Sequence, residues 1–130
     1  MGGETSIARV LRTLEGEAAG PVRATPYGSV GTILDGSTTE VVWVSKQNEE
    51  IDPGWFSQPD TDVLCVIAGP LRVEFKADPG TAVTLRQGDV LVLPPDTACR
   101  AYRWPRDSAQ AAVFLAVTAR SGKAGQQAGS

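Results

Sequence analysis

The chain contains no histidine. That removes the commonest biological metal ligand and any Ser-His-Asp arrangement. The chemistry must come from other side chains, and Asp62 and Cys99 are the first candidates. Asp62 heads the apolar run Val63 to Ala68. Pointing into a core, its carboxylate would need partners, because a lone buried charge is costly. It then reads as a general base or a ligand contact. The alternative is a residue at a strand start that caps the turn in Gln58-Pro-Asp-Thr-Asp62. Cys99 could act as a nucleophile or a thiolate ligand if a cation lowered its pKa. Arg103 falls on the same face of an ideal strand, and Arg100 is adjacent. Equally, a free cysteine packs well as a small hydrophobe. Cys65 falls on the opposite face from Asp62 and reads as packing.

Arg103 shares the interior face if Cys99 does. Its guanidinium could there grip a carboxylate or phosphate in bidentate fashion, or else pair with Asp62 or Asp96 at a rim. Trp55, Phe56, Tyr102 and Trp104 flank these positions. Aromatic residues of that kind line an apolar pocket, or serve as core or dimer contact. Gln58 could supply an amide to a bound ligand or hold an oxyanion. Trp43 reads as core.

These residues need a scaffold of short strands. Tyr27 to Leu34, Glu40 to Ser45, Asp62 to Ala68, Leu71 to Phe75, Thr81 to Arg86, Val90 to Leu93, Ala98 to Trp104 and Ala111 to Ala119 are β-branched, aromatic or alternating stretches. Asp35-Gly36, Gly69-Pro70, Asp78-Pro79-Gly80, Gln87-Gly88-Asp89 and Pro94-Pro95-Asp96 punctuate them as turns. Gly69 and Gly88 are placed where a positive φ is cheap for glycine. Val113, Leu115 and Val117 share one face of the last strand. Ile7, Val10, Leu11 and Leu14 have helical spacing, with Thr5 or Ser6 as cap and Gly16 as terminator. Glu17 to Pro26 reads as a loop. So many short strands argue for a sandwich or barrel.

Two stretches, Asp62 to Phe75 and Gly88 to Cys99, resemble the paired motifs of the cupin family. In the first, G-x5-H-x-H-x3,4-E-x6-G, Gly69 holds the closing glycine and Asp62 the glutamate position. The histidine positions fall on Phe56 and Gln58, or on Trp55 and Ser57. In the second, G-x5-P-x-G-x2-H-x3-N, Gly88 and Pro94 match. Asp96 stands for the glycine, Cys99 for the histidine and Arg103 for the asparagine. The turns survive and the metal ligands do not. The resemblance spans Trp43 to Val117. It implies an all-β, cupin-like double-stranded β-helix, or jelly-roll barrel, with a short N-terminal helix. The division is then an N-terminal helix and arm over 1–20, the barrel over 21–120 and a disordered tail over 121–130. No metal and no cofactor are expected. Gln58, Asp62 and Cys99 would make a mixed hard and soft donor set, poor for iron and thin for zinc. The resemblance also implies a homodimer.

Composition narrows the classes. A formal net charge of −3 gives no basic footprint for nucleic acid. No apolar run reaches the length of a membrane span. The start lacks the regions of a signal peptide, and its match of Met1-Gly2 with Ser6 to a myristoylation pattern is read as chance. Two cysteines are too few for a disulfide framework, which fits a cytoplasmic protein. The leading expectation is a metal-independent barrel that binds a small organic ligand, an anion if Arg103 grips it. Catalytic roles for Asp62 and Cys99 define the first alternative, a metal-independent isomerase, cyclase or lyase with Asp62 as base. The second is a divergent dioxygenase with non-histidine ligands.

Overall fold

The computed structural model describes residues 8–18 and 20–120. Among the described residues nine strands are formed: β1 Val22–Thr25, β2 Gly28–Asp35, β3 Thr39–Lys46, β4 Thr61–Ala68, β5 Leu71–Phe75, β6 Asp78–Leu85, β7 Val90–Leu93, β8 Cys99–Arg103 and β9 Ala112–Ala119. Pairing within both sheets is antiparallel. One sheet has six strands in the order β1-β2-β3-β9-β4-β7, the other three in the order β6-β5-β8. The expected all-β jelly-roll architecture is what forms.

Alternation within the strands decides what faces inward. On β4, Asp62, Leu64 and Val66 are buried, while Val63 and Cys65 turn outward. On β5, Leu71 and Val73 are inaccessible to solvent and sit at the centre of a core with Leu64, Val66, Leu85, Leu93 and Phe114. Register then lines up rows across the large sheet. Thr118 of β9 lies between Glu40 of β3 and Asp62 of β4, and Leu93 of β7 follows Asp62. The next inward row is apolar: Val42, Ala116 and Leu64.

Several expectations change. The N-terminal helix is, within the described residues, a single 3₁₀ turn over Thr13–Glu15, closed by Gly16 in the left-handed conformation. Its proposed caps and Ile7 lie outside the described residues. Tertiary contact overrides the helical spacing, since Trp43 Nε1 donates to Thr13 O at 2.7 Å. Trp43 therefore packs on the outer face of the large sheet, under this segment, rather than in the central core. Part of the expected 17–26 loop is strand β1, because Val22 to Thr25 find partners on β2. The turn placed at Asp78 to Gly80 forms earlier, with Phe75 and Asp78 as the closing pair. On β9 Val113, Leu115 and Val117 share one face as expected, and it is the outward one, since Ala112, Phe114, Ala116 and Thr118 face inward. The tail from 121 onward lies outside the described residues.

Two motif positions explain themselves physically. Gly88 has φ 89°, the region cheap only for glycine. Gly69 does not; it is needed for room, since a Cβ there would stand 3.0 Å from Leu85 O. Asp96, at the position where the second motif has glycine, keeps a glycine-like φ of 62°. Aspartate is among the side chains that tolerate it.

Candidate functional site

The inward faces of β3, β4 and β9 form one wall of an open cavity of about 870 Å³. The segment before β4 closes the other side. Phe56 and Cys99 exchange two backbone hydrogen bonds of 2.8 Å, and Asp96 N–H donates to Gln58 O at 2.7 Å. These bonds fix Phe56 at the mouth and hang Gln58 over the Glu40–Thr118–Asp62 row.

Asp62 is the centre of the site. It is 3% exposed and borders the cavity. Thr118 Oγ1 donates to its Oδ1 over a long 3.3 Å. Gln58 Nε2 donates to the same Thr118 oxygen at 3.0 Å. Asp62 Oδ2 is buried and has no hydrogen-bond partner among the described residues. Burial pushes the carboxyl pKa upward and nearby Glu40 adds to this, against the pull of the Thr118 hydroxyl and the Val63 amide. Glu40 itself is held at the rim by Arg120, 3.2 Å away.

Cys99 also lines the cavity, but as a thiol. Burial first, and then the charge of Asp62, push it up to about 11. The cation expected to activate it is committed elsewhere. Arg100 pairs with Glu74 at 2.9 Å and lies over the Trp55 ring at 4.4 Å. A thiol so placed is not a ready nucleophile.

Three expected ligand contacts are absent from the cavity wall. Arg103 shares the interior face of β8 with Cys99, but stands at the opposite end of this five-residue strand. There its Nε donates to Arg106 O at 2.6 Å and its Nη1 to Gln47 O at 2.9 Å, so it fastens two loops. Tyr102 is on the other face of β8, buried, with its hydroxyl donating to Glu74 Oε2. Trp55 is taken up by Arg100. Gln58, Asp62, Cys99 and Phe56 are brought together; Arg103, Tyr102 and Trp55 are not.

Sequence reasoning missed Lys46, Glu40 and Thr118. Lys46 lines the cavity at the far end of β3, with a pKa lowered by burial against the raising effect of Asp52. The signal was present. Glu40, Val42, Val44 and Lys46 alternate with period two, polar at both ends and apolar between.

No protein-family model matches this chain, and no curated protein does. Solved structures do. An RmlC-like cupin from Shewanella frigidimarina is 12% identical with TM-score 0.63, covering 79% of this chain and 86% of its own. KdgF from a Halomonas species is 16% identical with TM-score 0.61, covering 80% and 92%. A cupin-like protein from Thermotoga maritima is 22% identical with TM-score 0.55, covering 70% and 67%. The fold is a cupin fold. At these identities the likeness carries the architecture alone.

The cupin barrel is commonly a metal holder, and the donors here can be tested against that use. At the positions that the motifs reserve for ligands, this barrel offers an exposed Phe56 or the stacked Trp55, a Gln58 turned toward Thr118, one carboxylate and a thiol near 11. Among the described residues no three His, Cys, Asp or Glu side chains are grouped to hold a metal. One carboxylate and one thiol, with no imidazole, are too few protein donors for a transition-metal site. The residues do not fit the metal that the fold suggests.

Proposed function

We propose that this chain is a cupin-fold barrel that binds a small organic molecule without a metal, with Asp62 as the polar anchor. The observation that carries the reading is Asp62 Oδ2, a buried carboxylate oxygen with no partner among the described residues, bordering a cavity of about 870 Å³. Buried polar atoms are nearly always satisfied, and functional sites are a principal exception. A ligand hydroxyl or ammonium would supply the missing donor. Apolar walls from Val42, Leu64, Phe114 and Ala116 would take its body.

A second reading is favoured by the direction of the Asp62 pKa. A carboxylate shifted upward by burial is a stronger proton acceptor than an exposed one. Asp62 would then remove a proton in an isomerase, cyclase or lyase reaction, with the Gln58–Thr118 pair orienting it. The dioxygenase alternative finds no support in the donor set. Two free thiols suit a reducing, cytoplasmic setting. The homodimer stays a proposal, for which Val90 and Val92, exposed on the edge strand β7, are the supporting surface. Sedimentation analysis tests it.

The test of the binding role is a thermal-shift screen of small metabolites, with hits titrated calorimetrically into wild type and Asp62→Asn. Ligands that present a hydroxyl or ammonium should bind the variant about tenfold more weakly, a difference of about 1.4 kcal/mol. Equal affinity for both proteins across all hits would remove Asp62 from the site. Elemental analysis of untagged protein should show transition metal well below stoichiometry.

A further inference from the structure

The cavity has a second anchor that the reading above leaves unused. Lys46 lies on the same inward face of β3 as Val42 and Val44, and lines the cavity with them. Its ammonium makes no hydrogen bond and no ion pair among the described residues. Asp52, also on the wall, acts on it only at longer range. The other cations at the wall differ. Arg100 is bound to Glu74, and Arg23 sits on the exposed edge strand β1. A half-buried ammonium with no protein acceptor among the described residues leaves its three donors open to a ligand.

The two unsatisfied groups stand at opposite ends of one apolar trough. Glu40 shares a row with Thr118 and Asp62, and Lys46 pairs with Ala112. From Glu40 to Lys46 the strand runs about 20 Å. Val42, Val44, Leu64, Phe114 and Ala116 lie between. The acidic end repels an anion and the Lys46 end attracts one, so a bipolar ligand has one favoured orientation.

We infer that the cavity takes an elongated organic anion, with its acid head on Lys46 and its apolar body along the trough. This rests on the small-molecule reading and names the ligand class for the same site. The Asp62 anchor then takes a donor at the ligand's other end. Arg103, the anion grip expected from sequence, is replaced in this role by Lys46.

Calorimetry with decanoate, decan-1-ol and 10-hydroxydecanoate separates the parts. Each is titrated below its micellar concentration into wild type, Lys46→Met, Lys46→Arg and Asp62→Asn. Decanoate should bind wild type, bind Lys46→Met about tenfold more weakly, and bind Lys46→Arg nearly as wild type does. Decan-1-ol should gain nothing from Lys46. The inference is overturned if decanoate does not bind wild type, or binds Lys46→Met as tightly as wild type. It is overturned too if the alcohol and the acid bind alike. The Asp62 anchor has its own readout: 10-hydroxydecanoate should bind more tightly than decanoate, and Asp62→Asn should abolish that gain. Should the gain be absent while the Lys46 dependence holds, the Asp62 anchor fails and the acid-head assignment stands.

Discussion

Asp62→Asn should make the protein more stable at neutral pH. In the native state the carboxylate is 3% exposed, held by a long bond from Thr118 and the pull of the Val63 amide, with one oxygen unpartnered among the described residues. A buried acceptor left unsatisfied costs about 1–3 kcal/mol, and more when charged. Asparagine keeps the shape and removes the charge, though its amide needs a donor partner of its own. We therefore expect a gain near the lower end, about 1–2 kcal/mol at pH 7. For a domain of this size each kcal/mol moves the melting temperature by about 3–5 °C. The pH dependence has a definite sign. The folded pKa lies above the unfolded one, so in the window between them the native state holds more protons than the unfolded state. Stability then falls as pH rises through that window. The advantage of the variant should be full above the folded pKa of Asp62 and close as pH drops below the unfolded carboxylate range. Urea denaturation of both proteins from acid to neutral pH measures it. A variant less stable than wild type at pH 7, or a difference independent of pH, would refute the claim that Asp62 is held at a cost.

The other predictions address separate parts of the molecule. In the native protein a disulfide thiol reagent should label Cys65 well before Cys99, since Cys99 is buried and its thiol is raised to about 11; rapid labelling of Cys99 at neutral pH would show an activating cation that the structure does not contain. Tyr102→Phe removes the hydroxyl that does most to hold the Glu74 carboxyl below its usual range. It should cost about 1–2 kcal/mol at neutral pH, in urea titrations, with the penalty shrinking as pH falls through the folded pKa of Glu74. Trp43→Phe keeps a six-membered ring and loses the indole N–H bonded to Thr13 O, with part of the packing area. It should cost about 0.5–1.5 kcal/mol and speed hydrogen exchange in residues 8–16, whereas unchanged exchange would mean that the segment is held by packing alone.

The scaffold was legible because its signals are local. Alternation in Leu71 to Phe75 follows from the two-residue period of a strand, and the turn at Gly88 follows from glycine's freedom at positive φ. Asp62 was legible as an oddity, a charge at the head of an apolar run. Arg103 misled for a physical reason: facing the interior and lining the cavity are different properties, and a strand of five residues carries one end away from the site. Lys46 was missed because a lysine ending a strand ordinarily reaches solvent. Here Asp52, Gly54 and Phe56 from a later loop join it in the cavity wall.

By itself, then, the sequence determined an all-β barrel of cupin type and the absence of its usual imidazole ligands. Both follow from residue types and short-range spacing. The tertiary structure decided which of the remaining polar groups meet. Asp62 and Thr118 are 56 residues apart in the chain, and Gln58 and Thr118 are 60 apart. Such neighbours are set by the pairing of β4 with β9 and of β9 with β3, which no local period encodes. The same pairing puts a carboxylate oxygen at one end of an apolar trough and an ammonium at the other, neither with a partner among the described residues, because register across a sheet is a property of the whole sheet.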